Sequence, residues 1–201
     1  MKLYHCHNSR SLRTRWALEE LGVDYELETL PFPPRIFAKH YKEVNPLGTV
    51  PTLIDGDVMI TESSGACHYL AEKLAPTPLA VTVDEPDYAA YLNWMYRSDA
   101  TLTFPLTITF RYSQLEPEER RLPQAAADYR KWFLGRWSSV EDWLDGRDYL
   151  CGDRFTMADI CVGYAYLFSQ ILGVEEAATP RVVGWWERLA AREAYSRATA
   201  E

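Results

Sequence analysis

The first 75 residues carry short hydrophobic segments whose period changes several times. Segments rich in extended-structure formers predict short strands, whereas apolar residues at helical spacing predict helices. Strands are predicted over 2–5, 23–30, 50–54 and 58–61. Helices are predicted over 10–21, 36–44 and 64–74. Gly22 marks the end of the first helix, and Asp55-Gly56-Asp57 is typical of a hairpin turn between the last two strands. The predicted order is therefore β-α-β-α-β-β-α.

After residue 86, every long hydrophobic pattern is helical. Helices are predicted over 87–110, 118–144, 156–172 and 180–192. Pro105 predicts a kink in the first of them, because proline lacks the N–H that a helix interior needs. The third is almost entirely apolar, which indicates a buried helix. Thr156 and Asp159 match the capping-box pattern at its start.

A proline-rich segment separates these two patterns. Ala75-Pro76-Thr77-Pro78, with Pro86 shortly after it, is typical of a boundary between domains. We therefore expect an α/β domain over 1–75, a linker over 76–86 and an all-α domain over 87–201.

Composition excludes several classes of protein. The 201 residues carry 21 basic and 29 acidic side chains, a net charge of −8, and a nucleic-acid-binding protein is expected to be basic instead. No apolar stretch of about 18 residues is present, so no membrane span is expected. The start of the chain lacks the apolar core of a signal peptide, and the four cysteines form no CxxC pair. We expect free thiols and a cytoplasmic location.

Metal binding is not expected either. Strand alternation places His5 and His7 on one face and Cys6 on the other, which does not suit a three-ligand site. No carboxylate cluster has the spacing of metal ligands.

Pro51 lies at the start of a predicted strand, where proline removes a hydrogen bond donor. One interpretation is a cis Val50–Pro51 bond, which leaves the backbone N–H and C=O of Val50 for a peptide-like ligand. The other is an ordinary trans proline on an edge strand. The proline alone favours the trans form, since few X–Pro bonds in folded proteins are cis.

Two further segments lie where a strand passes into a helix. At Glu62-Ser63-Ser64, backbone N–H groups and a hydroxyl suit a carboxylate, and Glu62 suits an ammonium group. In Cys6-His7-Asn8-Ser9-Arg10-Ser11, a hydroxyl near the helix N-terminus suits a thiolate. The alternative in both segments is simple helix capping, by Ser63 or Ser64 in one and by Asn8, Ser9 or Ser11 in the other.

These segments carry a resemblance to a known family. The matching residues are Tyr4, Ser9-Arg10-Ser11 with Arg13, Glu19-Glu20-Leu21-Gly22, Asn45-Pro46 with Gly48, Val50-Pro51, Glu62-Ser63 and Phe155-Thr156-Met157-Ala158-Asp159. Together they resemble the soluble, bacterial-type glutathione S-transferases of the serine-type classes. The resemblance implies a thioredoxin-like first domain, a cis Val50–Pro51 bond, a helical second domain, glutathione as co-substrate and a homodimer.

The resemblance also implies roles for individual residues in glutathione binding. Val50 and Pro51 would meet the cysteinyl backbone, and Glu62 and Ser63 would hold the γ-glutamyl group. A basic residue, Arg35 or Lys39, would meet the glycyl carboxylate, and Asp99 would reach across a dimer to the γ-glutamyl ammonium.

For activation of the thiol, counting back four residues from Arg13 gives Ser9, and counting back five gives Asn8. Ser11, Tyr4 and Cys6 remain alternatives. The residues expected to contact the electrophile are aromatic, and their alternative role is ordinary helical core. These candidates are Tyr96, Phe104, Tyr112 and Tyr164.

Three functions are compatible with these residues. The first is a detoxifying transferase that lowers the thiol pKa of glutathione and adds the thiolate to a small apolar electrophile. The second is a glutathione-dependent isomerase, peroxidase or lyase. The third is a non-catalytic protein that binds a ligand or partner on the same fold.

Overall fold

The computed structural model describes residues 1–200, which form two compact units. The first unit contains Met1–Ala80 and the C-terminal segment from Ala190 onward, and the second contains Val81–Leu189. The α/β order of the first unit and the helical content of the second are both as predicted.

The first unit is built on a four-stranded sheet with the strand order β2-β1-β3-β4. The strands are β1 (Lys2–His5), β2 (Glu26–Thr29), β3 (Thr52–Asp55) and β4 (Val58–Ile60). The helices are α1 (Ser11–Leu21), α2 (Pro34–Phe37), α3 (Ser63–Lys73) and, after the second unit, α9 (Glu193–Thr199), with a 3₁₀ segment over Lys39–Glu43. β1 pairs with β2 in parallel and with β3 antiparallel, and β4 pairs antiparallel with β3.

The second strand, Glu26–Thr29, is shorter than the predicted 23–30, because the residues that follow α1 form the C-terminal cap of that helix. Gly22 adopts a left-handed conformation (φ 63°), and its N–H donates to the carbonyls of Leu18 and Glu19. The N–H of Val23 also donates to Leu18, at 3.2 Å. These bonds satisfy carbonyls that the helix end would otherwise leave without donors.

The described part of the second unit contains five α-helices and two π-helical segments. The helices are α4 (Tyr88–Arg97), α5 (Phe104–Phe110), α6 (Pro123–Trp143), α7 (Met157–Ile171) and α8 (Pro180–Ala190), the last of which ends in the first unit. Ser98–Thr103 and Arg111–Leu115 are π-helical and flank α5. No helix among residues 1–200 is both long enough and apolar enough to cross a membrane.

The helical pattern predicted over 87–110 is interrupted just before Pro105, which lies in the first turn of α5 directly after the π-helical segment Ser98–Thr103. Hydroxyl groups in this region donate to carbonyls three to five residues earlier. Thr103 donates to Ser98, Thr107 to Thr103, and Thr109 to Pro105, at 2.6–3.0 Å. They supply donors where the regular backbone ladder is broken.

The capping box predicted at the start of α7 is confirmed. The Thr156 side chain accepts from the N–H of Ala158, and the Asp159 carboxylate accepts from the N–H of Thr156 at 2.9 Å. Asp159 is fully buried and also accepts from Leu150 N–H and Trp185 Nε1, each at 3.0 Å. Burial raises the pKa of Asp159 to about 6 despite these donors.

The C-terminal segment differs from the expected 87–201 domain, because from Ala190 onward it clusters with the first unit. The guanidinium of Arg15 on α1 donates to the carbonyls of Ala200 (2.8 Å) and Arg197 (3.1 Å). Arg192 makes a two-point ion pair with Glu20 at 2.6 and 2.8 Å. A buried arginine thus supplies donors for the end of α9, where a helix lacks its own.

We predict that Thr156→Val lowers the free energy of unfolding by about 1 kcal/mol, the usual cost of losing an N-cap. Thr179→Val is the matched control, because the Thr179 hydroxyl is buried and makes no hydrogen bond with residues 1–200. This control is expected to be neutral or slightly stabilising. Denaturant unfolding measures both, and equal losses in the two variants would contradict the capping role.

Candidate functional site

The sheet topology gathers the predicted site segments at one end of the first unit. Because β1 and β3 are antiparallel, with Tyr4 opposite Thr52, the loop that leaves β1 lies beside the chain that enters β3. Leu53 pairs with Ile60, so the end of β4 and the start of α3 lie at this same end. β2 runs parallel to β1, and the chain that leads to α2 therefore also starts there.

The Val50–Pro51 peptide bond is cis, as the family resemblance implied. Before it, the carbonyl of Thr49 accepts from the Tyr41 hydroxyl (2.8 Å) and from the Asn45 amide (2.9 Å). The backbone N–H and C=O of Val50 make no hydrogen bond with any of residues 1–200. They offer one donor and one acceptor to an extended, peptide-like ligand.

Gly48 allows a close approach of Arg35, one of the two candidate basic residues, to this segment. Its φ is +60°, and a β-carbon there would lie 2.8 Å from the β-carbon of Arg35, so only glycine fits without a shift. The side chains of Arg35 and Lys39 are exposed. Lys42 also lies beside Gly48, and the sequence analysis did not single it out.

Glu62 and Ser63 lie at the start of α3, and no side chain of the described residues caps this helix, so the alternative of capping by Ser63 or Ser64 is not what the structure shows. Glu62 is the N-cap residue, is exposed, and makes no capping hydrogen bond through its side chain within residues 1–200. Ser63 is buried, and its hydroxyl accepts from Arg13 Nη1 at 3.0 Å. The Glu62 carboxylate is therefore accessible at a helix N-terminus, beside a serine that is held in place.

Arg13 is the functional-site residue that sequence reasoning undervalued. Its side chain is fully buried on α1, and its bond to Ser63 joins that helix to α3. A buried guanidinium requires nearby acceptors. The sequence does contain a signal for it, because Arg13 lies among the apolar positions of a predicted helix. The sequence analysis used Arg13 only as the reference from which Ser9 and Asn8 were located.

The loop after β1 holds a buried polar network. The Ser9 hydroxyl donates to the Cys6 carbonyl at 2.8 Å and lies 2.7 Å from Ser11 Oγ. Ser11 Oγ in turn lies 2.7 Å from His5 Nδ1 and accepts from Cys6 N–H at 3.1 Å. Ser9 thus faces inward as the structure stands, with its proton engaged.

Asn8 differs from Ser9 in both position and backbone conformation. Its side chain is exposed, and its φ of 56° is in the left-handed region, which asparagine tolerates better than most residues. Tyr4 and Cys6, by contrast, belong to a buried hydrophobic cluster with Leu30, Ala38 and Tyr41. Burial raises the pKa of the Cys6 thiol to about 11, so this thiol is protonated at neutral pH.

The candidates for electrophile binding lie in the second unit and have unequal surroundings. Tyr96 and Phe104 are about half exposed, and Tyr112 is half-buried with Arg111 over its ring at 5.6 Å. Tyr164 is only 3% exposed and stacks on Phe168 at 5.9 Å. Tyr164 therefore packs in the helical core, which was the alternative role considered for it.

Asp99, the residue expected to act across a dimer, is half-buried in the first π-helical segment. No group of three or more His, Cys, Asp or Glu side chains within residues 1–200 is arranged to hold a metal ion.

The unpaired Val50 backbone beside a cis-proline and the exposed Glu62 carboxylate at a helix N-terminus form a candidate site for a charged, peptide-like ligand. The model of the glutathione S-transferase N-terminal domain matches residues 8–73, and that of the C-terminal domain matches residues 114–193. The chain therefore belongs to the glutathione S-transferase family, and the prediction of a glutathione transferase enzyme is confirmed.

Individual relatives and structures show the same similarity. Glutathione S-transferase F13 of Arabidopsis thaliana is 31% identical over 97% of this chain and 93% of its own length. Glutathione S-transferase GstA of Escherichia coli O157:H7 is 29% identical over 84% of this chain and 80% of its own. The solved structure of BphK, a bacterial glutathione transferase in a ternary complex, covers 99% of this chain and 98% of its own, with a TM-score of 0.87 and 25% identity.

We predict a pH-dependent contribution of His5 to stability. Burial lowers the pKa of His5 from 6.5 to about 4, with smaller contributions from the charges of Arg15 and His7. Between pH 6.5 and about 4, His5 binds a proton in the unfolded chain but not in the folded one. The free energy of unfolding therefore falls as pH decreases over this range.

Over that window the loss attributable to His5 is about 3 kcal/mol. The measurement is the free energy of unfolding against pH for the wild type and His5→Phe. The difference between the two curves should change with this slope. Parallel curves would contradict a neutral, buried His5.

Proposed function

We propose that this chain binds glutathione at the end of the first unit's sheet where β1 ends and β3 begins, and adds its thiolate to a small apolar electrophile. The observation that carries the proposal is the unpaired Val50 backbone beside the cis-proline, with the Glu62 carboxylate at the neighbouring helix N-terminus. Family membership supports the reaction class, and a sphingomonad glutathione transferase of the same fold, with a TM-score of 0.86, is described in complex with glutathione.

Each charged end of glutathione has a candidate partner. The N–H and C=O of Val50 would pair with the cysteinyl backbone as a short antiparallel ladder does. The exposed Glu62 carboxylate would accept from the γ-glutamyl ammonium, while the N-terminus of α3 and Ser63 would receive the α-carboxylate. Arg35 and Lys39 would attract the glycyl carboxylate, and Lys42 joins them as a candidate.

The thiol would be activated in the loop before α1, by Ser9 or Asn8. A thiol with a pKa near 8.5 is mostly protonated at pH 7, and one unit of depression favours the thiolate tenfold. A hydroxyl or amide donor near a helix N-terminus supplies stabilisation of this order. Asn8 is already exposed, whereas Ser9 would have to turn its proton away from the Cys6 carbonyl.

The electrophile would contact Tyr96, Phe104 and Tyr112, which leave aromatic surface accessible. Aromatic side chains favour flat, apolar ligands through stacking and burial. The buried Tyr164 would act by supporting these helices rather than by touching the ligand. A role in detoxification follows from this broad substrate class.

A cytoplasmic homodimer is the proposed form of the protein. Its four cysteines are free and buried, which suits a reducing compartment. Val58 and Met59 on the edge strand β4 are exposed, as is Trp132, and these apolar side chains suit an interface between copies. Within such a dimer, Asp99 is the candidate to reach the partner's bound glutathione.

We predict that Glu62→Gln weakens glutathione binding about 10- to 100-fold, the usual effect of losing a charged hydrogen bond partner. Glu72→Gln is the matched control, because it makes the same change on the exposed side of α3. Isothermal titration calorimetry with glutathione measures both variants. An unchanged dissociation constant for Glu62→Gln would exclude its contact with the γ-glutamyl group.

We predict that bound glutathione has a thiol pKa below 8.5 and that Ser9→Ala raises it by about one unit. The measurement is the pH dependence of thiolate absorbance in the complex, with Asn8→Ala titrated in parallel. A shift only in Asn8→Ala would assign activation to the amide instead. Failure of the wild type to bind glutathione would overturn the proposal and favour a non-catalytic binding role.

A further inference from the structure

We infer that Ser11 is a positioning residue that releases the hydroxyl proton of Ser9 for a bound thiolate, and that His5 sets the direction of this exchange. The inference rests on the proposed role of Ser9 in thiolate stabilisation. Its basis is the network of His5, Cys6, Ser9 and Ser11, whose protons can be assigned one by one.

The assignment starts from Ser9. A hydroxyl has one proton and two acceptor positions, and the Ser9 proton is engaged by the Cys6 carbonyl at 2.8 Å. Ser9 therefore accepts from Ser11 across the 2.7 Å contact between their oxygens. It also accepts from the backbone N–H of Ser11 at 3.3 Å, which completes its hydrogen bonds.

Ser11 then determines the tautomer of His5. Its proton goes to Ser9, and one acceptor position takes the N–H of Cys6 at 3.1 Å. The remaining position faces His5 Nδ1 at 2.7 Å, so His5 must donate from Nδ1. The proton position is thus assigned from the network, in the direction His5 to Ser11 to Ser9 to the Cys6 carbonyl.

The network has a second complete arrangement. The Cys6 carbonyl lies 3.3 Å from Ser11 Oγ, which is within reach of that hydroxyl as well. When Ser9 turns its proton toward a thiolate, Ser11 turns its own to the Cys6 carbonyl. The buried carbonyl keeps a donor in both states, so releasing Ser9 leaves no unpaired polar group behind.

His5 makes the exchange available. Because Nδ1 donates to Ser11, the Ser11 proton is not committed to the imidazole and can move between Ser9 and the carbonyl. The opposite tautomer would accept that proton and leave the carbonyl without a donor once Ser9 turned. His5 is 1% exposed and Ser11 is fully buried, so solvent does not replace either partner.

The test titrates the thiol of glutathione bound to the wild type, Ser9→Ala, Ser11→Ala and the double variant. Ser11→Ala is expected to raise the thiol pKa by about one unit, a tenfold loss of thiolate, as Ser9→Ala does. The double variant should shift it no further than the larger single change, because the two hydroxyls act as one unit. With an activated aryl halide as electrophile, kcat at neutral pH should fall while KM for glutathione changes little.

Matched substitutions separate positioning from folding. Ser11→Thr keeps the hydroxyl and should retain the wild-type thiol pKa, whereas Ser11→Cys keeps the size with a weak donor and should raise it. His5→Phe removes the Nδ1 hydrogen bond that holds Ser11 Oγ in place, so it should also raise the thiol pKa, but by less than Ser11→Ala because Ser11 keeps its own proton. Thermal unfolding of each variant establishes that it is folded, and if Ser11→Ala does not fold, the Thr and Cys pair gives the answer.

Two outcomes would count against the inference, and they are distinguishable. If Ser9→Ala raises the thiol pKa but Ser11→Ala and Ser11→Cys do not, the exchange is overturned while the role of Ser9 stands. If none of the variants shifts the thiol pKa, the role of Ser9 fails and the exchange fails with it. An unchanged value in His5→Phe alone removes His5 from the mechanism.

Discussion

The pairing of β1 on both of its edges is the constraint on which the site depends. Its parallel pairing with β2 and antiparallel pairing with β3 place the carboxyl end of β1 beside the ends of its neighbours. The candidates Asn8, Ser9, Val50, Pro51, Glu62 and Ser63 follow from that convergence, since each lies within four residues of a strand end. The Arg13–Ser63 bond then holds α1 and α3 in a fixed relation around it.

Burial gives this site its chemical character. His5, Ser9 and Ser11 are removed from solvent, so each of their protons needs a partner within the protein. The same burial raises the pKa of the Cys6 thiol to about 11, so this thiol is protonated at neutral pH. The hydrogen-bonded network of His5, Ser9 and Ser11 carries no net charge and lies next to the exposed Asn8. Such a neutral surface suits an anionic ligand, because it presents no negative group that would repel the anion.

Local sequence signals predicted the parts of the fold that local chemistry determines. Gly22, the Thr156 capping box and Pro105 each act within one helical turn, so their effects could be inferred without knowing what packs nearby. The cis state of Val50–Pro51 required the family resemblance, because the proline alone favours trans. The burial of Tyr164 depends on Phe168 and its surroundings, which an aromatic residue at helical spacing does not reveal. The pairing of Arg13 with Ser63 joins residues 50 positions apart, a distance over which periodicity carries no information.

The attachment of residues 190–200 to α1 has a consequence for synthesis of the protein. Trp16 packs against Tyr195, and Arg15 receives its acceptors from Arg197 and Ala200. The ribosome makes these partners only after the whole second unit, whereas domains commonly fold in order from the N-terminus. In the nascent first unit, Arg15 and Trp16 therefore stay exposed until α9 has been synthesised. During translation, the second unit is the part of this chain that can reach its complete packing first.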